Sequence, residues 1–148
     1  MRSKAGLSLA SFSTLESRRT QTGFANRKAI MGNGISGSGT INVNNAGAGL
    51  AGGWTIVGTA NAFTFSGVLN INSGTFSRDN TSANNMNCTA TVNLAAGACF
   101  GAGRGGNCTI GALNGAGDVG AFWSGVNAGS LTLGNGGILS PGLSPGIL

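Results

Sequence analysis

The 148-residue chain contains no histidine and no tyrosine, only three carboxylates, two prolines and 7% charged residues. The missing histidine removes the side chain that most readily moves protons near neutral pH and binds zinc. Of the acids, Glu16 stands in a basic N-terminal stretch, and Asp79 and Asp118 are far apart in sequence. The close carboxylate pair of a glycosidase, or the clustered oxygens of a Ca²⁺ site, would need those two brought together by stacking in register. Three cysteines with no histidine and no Cys-x-x-Cys spacing lack the ligand pattern of a zinc site. No stretch reaches the ~20 apolar residues of a membrane-spanning helix. These absences point away from an enzyme, a metal and a cofactor.

Positive charge is also scarce outside one region. Residues 1–28 hold Arg2, Lys4, Arg18, Arg19, Arg27 and Lys28 against Glu16, six minus one, which is the whole of the net +5. Beyond them Arg78 and Arg104 balance Asp79 and Asp118. Phosphate binding wants basic residues clustered on the folded body, so a nucleic-acid partner is not expected. Residues 1–32 read as a basic leader. Ala5 to Phe12 is a short apolar run broken by Ser8 and Ser11, a weak secretory signal. Ser13 and Glu16 have capping-box spacing, which predicts a short helix over about residues 14–20. The alternative for this segment is a disordered terminus.

What the chain has in abundance is glycine, 29 residues, and apolar side chains, 41%. The apolar residues fall in short periodic runs, unlike the thin scatter of a disordered chain. One phrase recurs: Thr40-Ile41-Asn42-Val43-Asn44, Val68-Leu69-Asn70-Ile71-Asn72, Thr91-Val92-Asn93-Leu94 and Ser130-Leu131-Thr132-Leu133. Each copy alternates apolar with small polar residues, the period of a strand with one buried face. Glycines nearby (Gly39, Gly67, Gly97, Gly134) punctuate the copies with turns. Short strands recurring every ~20–30 residues predict a solenoid, stacked strand on strand. Aligning the phrases puts Ile41, Leu69 and Val92 at one inward position and Val43, Ile71 and Leu94 at the next. Asn42, Asn70 and Asn93 then form an outward ladder. The expected fold is all-β over residues 33–148, a parallel β-helix of about five coils and about 25 Å.

Three passages carry a resemblance. They are Phe65-Ser66-Gly67-Val68-Leu69-Asn70-Ile71 with Gly74-Thr75-Phe76; Ile110 to Gly117 with Ser130 to Gly134; and the Pro-Gly passage Gly137 to Leu148, with Ser140-Pro141-Gly142 and Ser144-Pro145-Gly146. Each Ser-Pro-Gly has the residue order of a type II turn. Together these passages resemble the autotransporter-associated β-strand repeats of bacterial autotransporter passenger regions. The resemblance implies a right-handed parallel β-helix, exported and secreted or displayed at the cell surface and outer membrane. The repeat domain ends two residues into a strand at Leu148, so a C-terminally truncated solenoid is expected, self-associating through uncapped ends.

The remaining groups are weighed against that frame. Asn87-Cys88-Thr89 and Asn107-Cys108-Thr109 lie 20 residues apart, about one coil, and Cys99 lies between. Stacked coils are close enough for a disulfide, with the pairing among Cys88, Cys99 and Cys108 left open. Trp54, Phe63, Phe65, Phe76, Phe122 and Trp123 are either core stacks or a sugar-stacking platform, and strand positions favour the core. Gly101 to Gly106 lacks the strand, helix and Lys-Ser/Thr of a phosphate loop. The functional expectation is a non-enzymatic, adhesin-like stalk whose partner is a surface receptor or glycan of unspecified identity. The competing reading is a carbohydrate-binding or polysaccharide-degrading protein on the same scaffold. That reading requires Asp79, Asp118 and an exposed aromatic to converge in one groove.

Overall fold

The computed structural model describes residues 2–3, 7–9, 14–19, 28–31, 35–45, 54–57, 64–78, 86–101, 108–119 and 131–141. Every element among them is a β-strand. In chain order these are β1 (Arg2–Ser3), β2 (Leu7–Leu9), β3 (Thr14–Arg19), β4 (Lys28–Met31), β5 (Ile35–Gly37), β6 (Thr40–Asn45), β7 (Trp54–Val57) and β8 (Thr64–Phe65). There follow β9 (Val68–Ser73), β10 (Thr75–Arg78), β11 (Met86–Asn87), β12 (Thr91–Leu94), β13 (Cys99–Gly101), β14 (Cys108–Gly115), β15 (Asp118–Val119) and β16 (Leu131–Pro141).

The strands form three sheets, and every pairing is parallel. One sheet runs β1-β4-β7-β10-β13-β15 and a small one β2-β5-β8. The largest runs β3-β6-β9-β12-β14, continues into β16, and has β11 beside the first half of β14. Strand order in each line follows chain order. Six strands in line span about 24 Å at ~4.8 Å each.

The phrase residues explain the register. Ile41, Leu69 and Val92 are opposite one another, as are Val43, Ile71 and Leu94. All six are buried. They meet Phe76 and Phe100 from the first sheet and Ile35 and Phe65 from the small one in a single cluster. Phe76 and Phe100 stack at 6.3 Å between centroids and 7° between planes. Parallel strands need both faces protected or a common core inside, and the three inner faces supply that core for each other. Where β8 turns into β9, a Cβ on Gly67 would run into the Gly39 carbonyl, so the corner closes only on glycine.

Three expectations need correcting. Of the expected helix over about residues 14–20, Thr14–Arg19 is instead strand β3, paired along its whole length with Thr40–Asn45. Pairing with an available sheet edge outweighs a capping pattern worth about 1 kcal/mol. The segment 1–32, expected to be a separate leader, contributes β1 to β4 to all three sheets. The fourth phrase does not stack on the other three. Leu131 to Leu133 pair with Cys108 to Ile110, and it is Ile138-Leu139-Ser140 that continues Ala112-Leu113-Asn114. The register shift at Gly134 to Gly137 separates the two, with Gly136 at φ 76°. Pro141 closes β16 opposite Gly115; Gly142 to Leu148, with the rest of both Ser-Pro-Gly turns, lie outside the described residues.

Candidate functional site

The outer face of the largest sheet carries an ordered polar array. Asn70 Nδ2 donates to Asn42 Oδ1 at 2.8 Å, Asn93 Nδ2 to Asn70 Oδ1 at 2.8 Å, and Asn114 Nδ2 to Asn93 Oδ1 at 2.9 Å. The partners are 28, 23 and 21 residues apart in the chain, yet each rung sits on the next. The structure therefore brings Asn42, Asn70 and Asn93 together and adds Asn114. The strand pleat aims these side chains away from the core, and in-register pairing stacks like on like. They are half-buried, since neighbouring rungs shield one another. Amides suit this place because they satisfy each other without charge. Every ladder bond points the same way, with donors facing the N-terminal strand. Each inner rung keeps one N–H and one acceptor lone pair for solvent or a ligand. A shorter, exposed second ladder links Asn72 Nδ2 to Asn44 Oδ1 at 2.9 Å.

Asn114 escaped the sequence reading because its phrase, Ala112-Leu113-Asn114-Gly115, has glycine where the other copies place an aliphatic residue. The detectable signal was Leu-Asn, shared with Leu69-Asn70. Phe100 was also missed, although Cys99-Phe100-Gly101 repeats the pattern of Thr75-Phe76-Ser77 and pairs with it.

The cysteines are not joined. Cys88, Cys99 and Cys108 are buried thiols with no disulfide among them. Cys108 is opposite Met86, not Cys88, so the two tripeptides are out of register by two residues. Diagonal neighbours across a ladder are ~7–8 Å apart, beyond the usual reach of a disulfide. Cys99 belongs to a different sheet, between Thr75 and Asp118. Burial pushes the Cys88 thiol from 9.0 up to about 11, against a smaller opposing hydrogen bond with the Ala90 backbone. Burial also raises Cys99, with the Asp118 charge adding to it and a hydrogen bond with the Thr75 side chain opposing. Both sites favour the neutral thiol, which is the unreactive form.

Of the acids, the two on described strands lie apart. Glu16 lies in β3 opposite Asn42, whereas Asp118 is exposed in β15 at the other end of another sheet. Asp79 lies outside the described residues. Among the described residues, no three of His, Cys, Asp and Glu are grouped to hold a metal ion. Phe65 and Phe76 are core residues; Trp54 is on β7, and Phe63, Phe122 and Trp123 lie outside the described residues.

One concavity of about 650 Å³ opens at the C-terminal end of the sheets. Its walls include Leu94, Leu113, Val119, Leu131, Leu133 and Leu139. Val119 and Leu139 continue the inward rows of Phe76–Phe100 and of Leu69–Val92–Leu113, yet they are 44% and 42% exposed. The core rows thus run out into this opening. No family model, no curated protein and no solved structure matches the chain.

Proposed function

We propose that the protein is a right-handed parallel β-helix serving as a non-enzymatic structural module, an adhesin-like stalk of an exported, surface-displayed passenger. The observation that carries this reading is the Asn42–Asn70–Asn93–Asn114 ladder, bonded rung to rung across parallel strands. A ladder of that kind requires strands returning in register at each pass of the chain, which is what stacked coils provide. The ladder is an uncharged row of amides, suited to spacing and lateral contact. The buried thiols support a structural role, because their neutral form supplies no activated nucleophile. Glycan or receptor contact, on this reading, runs along the amide face.

The location is tested with antibodies against the protein on intact cells of its source. Surface labelling that is removed by added protease is expected. Labelling only after the cells are permeabilised would sink the surface assignment. The stacked-coil reading is tested by a chain carrying Asn42→Cys and Asn70→Cys, whose in-register positions at ~4.8 Å are within disulfide reach on oxidation; an intrachain link is expected and its absence refutes the stacking.

A further inference from the structure

We infer that the open C-terminal end is a docking surface for the N-terminal edge of a second copy of this chain, so that the protein assembles head to tail. Three aligned observations carry this. First, both large sheets run in chain order toward the same end, where β15 and β16 are the last strands, while β1 and β3 are the first strands at the other end. Among the described residues, β3 and β16 each pair on one side only.

Second, the rows are in line. Leu15 is opposite Ile41, and that row continues through Leu69, Val92 and Leu113 to Leu139. Placing β3 of a second copy on β16 sets Leu15 on Leu139 and Glu16 on Ser140, and all strands stay parallel. The ladder positions then fall in one line, Asn114, Ser140, Glu16 and Asn42, across the junction. An added strand covers the groove bordered by Leu133 and Leu139 and lowers the exposure of Leu139, 42% in the single chain. This is β-augmentation with an apolar anchor.

Third, charge selects the orientation. The N-terminal stretch 1–28 carries net +5, and the described C-terminal end carries the single charge Asp118, exposed on β15. Two N-terminal ends repel, whereas the N-terminal end of one copy and the C-terminal end of another attract. The contact is heterologous, so copies add without closing and growth with concentration follows. The inference rests on the register of the sheets and not on where the protein is displayed.

The test uses full-length chains carrying Ser140→Cys or Glu16→Cys, mixed and oxidised with copper-phenanthroline. In-register neighbours at ~4.8 Å are within disulfide reach, so a dimer containing one chain of each kind is expected. The unsubstituted chain is the control for the buried native thiols. A mixture that cross-links no more than the control overturns the inference, as does a Ser140→Cys chain that links chiefly to itself. Sedimentation gives a second reading: Leu139→Lys should lower association about tenfold or more, by placing a charge where a leucine is covered. Unchanged association of the folded variant refutes the docking site. Removing residues 142–148 should leave association unchanged. A tenfold rise on removal would mean that the chain's own tail, not a second copy, fills the groove.

Discussion

Replacing Asn70 with alanine removes two ladder bonds at once, the donation to Asn42 and the acceptance from Asn93, both 2.8 Å long. A net intramolecular hydrogen bond stabilises by about 0.5–1.5 kcal/mol. The rungs are half-buried, so water partly replaces the lost partners, and Asn70→Ala should cost about 1–2 kcal/mol. Asn72→Ala removes one exposed bond and should cost about 0.5 kcal/mol. The deciding measurement is a double-mutant cycle in urea with Asn93→Ala. Each single variant loses two bonds, but the pair loses three, because the Asn70–Asn93 bond is shared. The double variant should therefore fall short of the sum by about one bond, 0.5–1.5 kcal/mol, at an unchanged denaturant slope. Strict additivity would show that the shared Asn70–Asn93 bond contributes no stability.

The other expectations concern the core, a turn and a thiol. Leu69→Ala empties a fully buried row position and should cost about 2–5 kcal/mol in the same urea measurement; a loss under 1 kcal/mol would mean the row is not packed. Gly115 has φ +115° and faces the Leu94 carbonyl, whereas Gly136 has φ +76° and open space. Gly115→Ala should therefore lower the melting temperature clearly more than Gly136→Ala, and equal effects would contradict the close approach. Cys88 ionises near 9.0 when unfolded and near about 11 in the fold. Its stabilising share is fully present below pH 9 and is lost as pH rises to about 11, a loss of about 3 kcal/mol. Cys88→Ala should flatten that part of the stability profile between pH 9 and 11; identical slopes in both proteins would refute the burial argument.

The rows through Ile41, Leu69 and Val92 were legible in the sequence because alternation assigns a face residue by residue, independent of spacing. The same logic placed Asn42, Asn70 and Asn93 in one line. Spacing arguments failed where alternation had nothing to hold. The 20-residue spacing of Cys88 and Cys108 suggests one coil, but the local register is two residues longer, and a shift of two turns neighbours into diagonals. The phrase at Leu131 to Leu133 alternates well and still pairs elsewhere, since the register shift at Gly134 to Gly137 re-phases the strand after it.

Strand β3 was hidden for a different reason. Thr14 to Arg19 has one clear aliphatic residue, Leu15, and the capping-box spacing of Ser13 and Glu16 favours a helix locally. A helix of about seven residues is unstable alone, since nucleation costs more than so few bonds return. The strand wins because β6 presents a complete row of backbone donors and acceptors, a partner that no local window of sequence contains. Repeats spaced at 28, 23 and 21 residues make the same point for the whole chain. Loop length varies freely between passes while the four or five residues of each strand do not, so the constraint acts on the stacked rows and leaves the connections unconstrained. A reading keyed to row pattern therefore survives insertions that defeat one keyed to period, and Asn114 is the residue that only the first kind of reading can find.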